Sequence, residues 1–157
     1  MTEFEHLTEI VRRLRAPGGC PWDREQTHGS LKAACIEEAA EVICGVNIYE
    51  KTGDPENLKE ELGDLLLQVV MHAQIAQEEG LFTIEDVCRG ISDKMVRRHP
   101  HVFGDVTAET SREVLVNWEE IKRKEKEGKI RTEAYLPEAF DESQTLIERA
   151  RARKGLG

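Results

Sequence analysis

Apolar residues recur at intervals of three and four along most of this chain, and no stretch alternates in the two-residue period of a strand. Phe4, Leu7, Ile10, Val11 and Leu14 share one helical face, which predicts a helix over 3–15. The segment 16–29, APGGCPWDREQTHG, carries two prolines and three glycines and reads as an ordered loop. Ser30 is placed to cap a second helix running to about Lys51, where Gly53 ends it. Asp54 followed by Pro55 is a favoured opening for a third helix, which runs to about Glu79 and closes at Gly80. Thr83 and Asp86 stand at the capping-box spacing and open a fourth helix reaching about Arg98. Residues 99–104 read as a loop, 111–127 as a fifth helix, 128–137 as a linker and 138–154 as a last helix. The long second and third helices are joined by a short turn, so they should pair as an antiparallel hairpin. The expected fold is all-α, a helical bundle built on that hairpin, with one domain over 1–127 and a linker and C-terminal helix over 128–157.

Composition narrows the function. Of 157 residues, 34% are charged and only 5% aromatic, a profile that argues against disorder and against a membrane protein. The most apolar run, Leu65 to Ala76, is broken by Gln68, His72 and Gln74 and is too short to cross a bilayer. The acidic N-terminus has no signal-type apolar run, which predicts a cytoplasmic protein. Cys20, Cys35, Cys44 and Cys88 form no CxxC pair; three of them lie among apolar helical residues and read as reduced, core-filling thiols. A net charge of −9 disfavours nucleic acid and anionic membrane as partners. It leaves room for a small anionic ligand, because the bases gather locally near Arg97, Lys122 and Arg151. The third helix is apolar nearly all round, and one partner helix cannot cover such a surface, so a homo-oligomer is expected.

The chemistry concentrates on the hairpin. Glu38 and Glu41 on the second helix stand three residues apart, as do Glu61 and Asp64 on the third, so each pair projects from one side. If the hairpin packs in register, four carboxylates converge, repel one another and raise one another's pKa. A cation relieves that repulsion, and an oxygen-only ligand set suits Mg²⁺, with Mn²⁺ as a substitute. A solvated acidic face is the bland alternative. Two features weigh against it. Ala34, Glu38, Glu41 and Gly45 form one stripe in which small residues, not Lys or Arg, flank the acids. Asp64 and Gln68 are the strongly polar side chains in an otherwise apolar run from Leu62 to Val70, and a charge there needs a partner or a metal.

The strings GGCPWDREQTHGSL, EEAAE, LKEELGDLLLQVVMHAQIAQEEGLF, ISDKMVRRHPHVFGD and VLVNWEEIKRKEK, in that order from about Leu7 to Lys126, resemble the MazG family of nucleoside triphosphate pyrophosphohydrolases. The resemblance implies an all-α pyrophosphatase fold in which four acids hold Mg²⁺, here Glu38, Glu41, Glu61 and Asp64. It also implies a nucleoside triphosphate substrate, cleavage between the α and β phosphorus, and at least a homodimer. The family's paradigm has two tandem modules, and one is present here.

Lys94, Arg97 and Arg98 lie at i, i+3 and i+4 near the end of the fourth helix, where cations offset the macrodipole. In an acidic chain with a metal-type acid cluster, the same patch suits a polyphosphate, and the family's KxxRR pattern falls on these three residues. Trp118, among Val114, Leu115 and Ile121, reads first as a core residue, while the resemblance brings Trp118 and Lys122 to the nucleotide. Trp22 reads as a plug that anchors its loop. His99 and His101 read as loop packing, since no further ligand lies at metal spacing. Glu37 and Glu60, each beside the acid stripe, are candidates for orienting an attacking water, which makes Glu37 a candidate catalytic residue along with the four acids. Two competing readings are a carboxylate-bridged di-iron or di-manganese oxidase, which would need histidines beside the acids, and a non-catalytic nucleotide-binding regulatory protein.

Overall fold

The computed structural model describes residues 1–157 as eight α-helices and one short 3₁₀ turn, with no strand. The helices are α1 (Glu3–Arg15), α2 (Pro21–Glu25), α3 (Lys32–Thr52), α4 (Glu56–Glu78), α5 (Ile84–Arg98), α6 (Pro100–Phe103), α7 (Ser111–Glu125) and α8 (Leu136–Arg153); the 3₁₀ turn spans Thr132–Ala134. The chain forms two units, one of Met1–Ile84 with Ala139–Gly157, the other of Glu85–Glu138. In the first unit α8 packs back through Ala150, which is buried, and through ion pairs to α3.

In the first unit, α1 opens on a complete capping box. Thr2 Oγ1 accepts from Glu5 N–H at 3.1 Å, and Glu5 Oε2 accepts from Thr2 N–H at 2.7 Å. The core is Val11 of α1, Leu31 at the head of α3 and Val70, Met71 and Ile75 of α4, with Phe4, Leu7, Leu67 and Ile84 against it. Its centre is therefore the second half of α4, where a run with few polar side chains can be buried on several sides. Gly53, at φ 76°, ends α3 in the left-handed conformation that glycine adopts without strain, and α4 begins three residues later. Asp54 Oδ1 accepts from Glu56 N–H at 3.0 Å at that turn. The hairpin closes tightly because Gly45 of α3 lies against the backbone of Leu58; a Cβ at Gly45 would stand 2.8 Å from Leu58 Cα.

Several local expectations change. The loop 16–29 contains α2, started by Pro21 at its first turn. Ser30 does not cap α3; its hydroxyl accepts from Thr27 N–H at 2.8 Å and donates to Gln26 Oε1 at 2.8 Å, so it closes the turn before the helix. Trp22 is no plug, since 65% of it is exposed. Its segment is instead held by Arg15, whose almost buried guanidinium donates to the carbonyls of Asp23 and Gln26 at 2.5 and 3.1 Å and pairs with Glu78. Cys35 and Cys44 are exposed thiols, not core fillers.

In the second unit, α5 and α7 are tied by ion pairs through Glu125, and residues 100–103, expected as loop, wind into α6 behind His99.

Candidate active site

The turn at Gly53 and the close approach at Gly45 set α3 and α4 side by side, so acids from the two helices meet. Ligand oxygens of Glu38, Glu61 and Asp64 all lie within 4.8 Å of one another, and all three residues are half-buried. Glu38 Oε2 is buried with no hydrogen-bond partner, which is costly for a carboxylate unless a ligand completes it. Burial is the main reason that the Glu38 carboxyl is pushed up to about 7; a hydrogen bond with Glu41 and the charges of Glu41, Asp64 and Glu61 add to it. Glu61 is also raised, by lost solvation and by Glu41, Asp64 and Glu60, against a 3.1 Å hydrogen bond from Asn57 Nδ2 that favours its charged form. Three oxygen donors crowded without a counter-charge, one with an orphaned oxygen, fit a hard divalent cation.

Glu41 has other company. Lys154 Nζ lies 2.5 Å from Glu41 Oε1, and this bond is the main cause holding the Glu41 carboxyl below its ordinary value. Glu37, the candidate water-orienting residue, is ion-paired with Arg153. Glu60 is exposed. The structure thus gathers Glu38, Glu61 and Asp64 at one point, with Glu41 hydrogen-bonded to Glu38 on one side and to Lys154 on the other. His72 does not join the acids; its Nδ1 lies 2.7 Å from His28 Nδ1, and the two rings stack.

The basic and aromatic residues belong to the second unit. Arg97 and Arg98 both pair with Glu125, at 2.6 and 2.9 Å, and together hold its carboxyl down to about 2, Arg98 contributing most. The Arg98 guanidinium lies over the Trp118 ring, 5.2 Å from its centroid, and His99 meets the same ring edge-on. Trp118 is half-buried, while its neighbours Leu115 and Val116 are exposed, so it is no member of a closed core. Lys94 is half-buried on the Arg98 turn of α5, and Lys122 pairs with Glu119 at 3.4 Å. His99 Nδ1 lies 2.6 Å from Met95 O, a contact that packs the start of α6. Sequence reasoning missed Asn57, Glu125, Lys154 and Arg153; Asn57 alone had a local signal, its i, i+4 spacing to Glu61.

An all-helical fold with an oxygen-only carboxylate cluster on a helix hairpin defines the class of protein. Residues 26–103 match the MazG nucleotide pyrophosphohydrolase domain. The chain is 54% identical over 123 residues to the nucleoside triphosphate pyrophosphohydrolase/pyrophosphatase MazG of Thermotoga maritima, covering 78% of this chain and 45% of that one. It is 48% identical over 135 residues to the nucleoside triphosphate pyrophosphohydrolase of Escherichia coli, covering 85% of this chain and 50% of the relative. An uncharacterized Bacillus subtilis protein, YabN, is 54% identical over 124 residues, which is 24% of its length. The crystal structure of a mazG-related protein from Thermotoga maritima superposes with a TM-score of 0.61 at 29% identity, over 76% of this chain and 98% of that one. This chain belongs to the MazG family. It spans between about a quarter and a half of the length of these curated relatives.

Proposed function

We propose that this chain is a Mg²⁺-dependent nucleoside triphosphate pyrophosphohydrolase, which cuts NTP or dNTP between the α and β phosphorus to release the monophosphate and pyrophosphate. The observation that carries the reading is the orphaned Glu38 oxygen within a knot of three carboxylates, on a chain 48% identical to a named pyrophosphohydrolase. Glu38, Glu61 and Asp64 would hold the ion, with Glu41 as the fourth ligand, and Mn²⁺ could substitute. Bound there, the cation supplies neutralisation of phosphate charge. Asn57 fixes the Glu61 carboxylate through its 3.1 Å hydrogen bond. Glu38, whose carboxyl is raised to about 7 in the metal-free protein, would give up its proton on taking the ion. Glu37 or Glu60 would orient the attacking water.

Lys94, Arg97, Arg98, Trp118 and Lys122 would bind the nucleotide. Arg97 and Arg98 would exchange Glu125 for phosphate oxygens, a swap between two anions that the guanidinium fork makes equally well. The enzyme would work in the cytoplasm on the nucleotide pool, clearing non-standard nucleotides or adjusting normal ones; no helix is long and apolar enough to cross a membrane. It would act as a homodimer or higher homo-oligomer. Leu62, Leu66 and Val69 of α4 and Ile43, Val46 and Tyr49 of α3 are exposed on the hairpin, an apolar surface that a second copy could bury.

The test is incubation with a panel of NTPs and dNTPs, oxidised and deaminated forms included, with products resolved by chromatography. The expected result is monophosphate and pyrophosphate in equal amounts, dependent on Mg²⁺. Diphosphate with inorganic phosphate, or no metal-dependent turnover of any nucleotide, would overturn the proposal.

A further inference from the structure

Helix α8 returns from the far end of the sequence to lie along α3, and three ion pairs tie the two helices. Lys32 pairs with Glu142 at 3.0 Å, Glu37 with Arg153, and Glu41 with Lys154 at 2.5 Å. Between the first pair and the last two along α8, Ala150 is buried, and Ile147, Ala150 and Leu156 border the same groove as Ala40 and Cys44 of α3. The two pairs at the end of α8 differ in kind from the first. Lys154 takes an acid that is hydrogen-bonded in turn to Glu38 of the carboxylate cluster, and Arg153 takes Glu37, the neighbour of Glu38 in the chain. An ammonium is a compact point charge on a flexible stem, so it can neutralise a carboxylate and leave it again without moving the backbone.

We propose that the last turn of α8 is a clasp displaced by the divalent cation: Lys154 is the counter-charge of the acid cluster in the metal-free protein, and metal and Lys154 compete for Glu41. The proposal rests on the metal-centre reading above. Three carboxylates with an added fourth would repel strongly with nothing between them; Lys154 offsets one of the four and keeps the hairpin from splaying. Entry of the cation makes Glu41 a ligand and sets Lys154 free, so the end of α8 loosens when the site fills. The docking of α8 is then a built-in brake on metal binding, released by the same ion.

The experiment is calorimetric titration of Mg²⁺ alone into the metal-free parent, Lys154→Met, Lys154→Arg and Lys32→Met, with hydrogen exchange of α8 followed before and after addition. Lys154→Met should bind Mg²⁺ about twofold to fivefold more tightly than the parent, the scale of one lost ion pair. Lys154→Arg keeps the charge and should stay close to the parent. Lys32→Met loses a pair on the same helices but away from the acids, and should leave the affinity unchanged. In the parent, Mg²⁺ should speed amide exchange in the last turn of α8 and leave α4 protected. Mg²⁺ binding to the parent with equal or weaker affinity in Lys154→Met, or with α8 exchange unchanged, would overturn the clasp alone. No Mg²⁺ binding to any of the four proteins would overturn the metal centre and the clasp with it. Circular dichroism of the Met variant confirms that it is folded, and the exchange of α8 in the parent keeps the test decisive if it is not.

Discussion

Gly45→Ala is the substitution for which local and tertiary effects oppose each other most clearly. Inside an exposed helix, alanine is favoured over glycine by about 1 kcal/mol, so propensity alone raises stability. At Gly45 the added Cβ would stand 2.8 Å from Leu58 Cα, 3.1 Å from Leu58 N and 3.2 Å from Asn57 Oδ1. The two nearest atoms are backbone, so relief requires the hairpin to open, and overpacking of that kind costs about 1–3 kcal/mol. Backbone against backbone belongs at the upper end, which leaves a net loss of about 2 kcal/mol and a fall in Tm of about 4–8 °C for a chain of this size. The third contact also matters for the site, because Asn57 is the residue that holds Glu61. The assay is thermal melting of the metal-free protein, with Gly90→Ala as the control. Gly90 lies within α5, exposed, and its added Cβ would meet nothing within 4 Å, so that variant should gain about 1 kcal/mol. A Gly45→Ala protein as stable as the parent, or more so, would refute the close approach of α3 and α4.

Three further outcomes are expected. The folded protein holds a proton on Glu38 up to about pH 7, whereas the unfolded chain releases it near the ordinary 4.5. Metal-free stability should therefore fall as pH rises through that window, and melting curves of Glu38→Gln in the presence of a chelator should lack the slope. Glu125 behaves oppositely: its folded value of about 2 lies below 4.5, so the unfolded state binds more protons between these values. Its contribution should be present above about pH 4.5 and disappear as pH falls towards 2; urea titrations in which the parent and Glu125→Gln stay equally far apart over that range would contradict the pairing with Arg98 and Arg97. Lys94→Ala should lower kcat/KM by about 2–4 kcal/mol of transition-state stabilisation if it meets the polyphosphate, and kinetics within twofold of the parent would assign it to the helix dipole.

How far the sequence carried the fold depends on the range of the interaction. Helix ends set by local chemistry, such as Gly53 after α3 and Asp54 before α4, were readable because the partner atoms lie within a few residues. The acid knot was readable for the same reason within each helix, and across helices because a short turn leaves a hairpin few registers. Ser30 was misjudged because its hydroxyl had two local uses, and the one inside the Gln26–Ser30 turn prevailed. Trp22 was misjudged because a buried arginine, not an aromatic plug, holds its loop, and no pattern of apolar residues reveals a carbonyl-binding guanidinium. Glu125 was hidden in a run of lysines, since only the packing of α5 on α7 gives it two arginines. Lys154 was least accessible of all, 113 residues from Glu41 along the chain, because a basic helix end looks the same whether it faces solvent or an acid.

The central claim is that carboxylates crowd on the hairpin because they hold a cation, and Asp64 tests it most directly. Its neighbours at the cluster are the carboxylates of Glu38 and Glu61. The measurement is Tm of the parent and of Asp64→Leu, each with a chelator and with Mg²⁺. Without metal, the substitution removes a repulsive charge and adds apolar surface, so Asp64→Leu should melt at or above the parent. Mg²⁺ should raise the parent's Tm by binding the folded state, and the variant should lose most of that rise. An Asp64→Leu protein far less stable than the parent without metal, yet raised as much by Mg²⁺, would contradict the account.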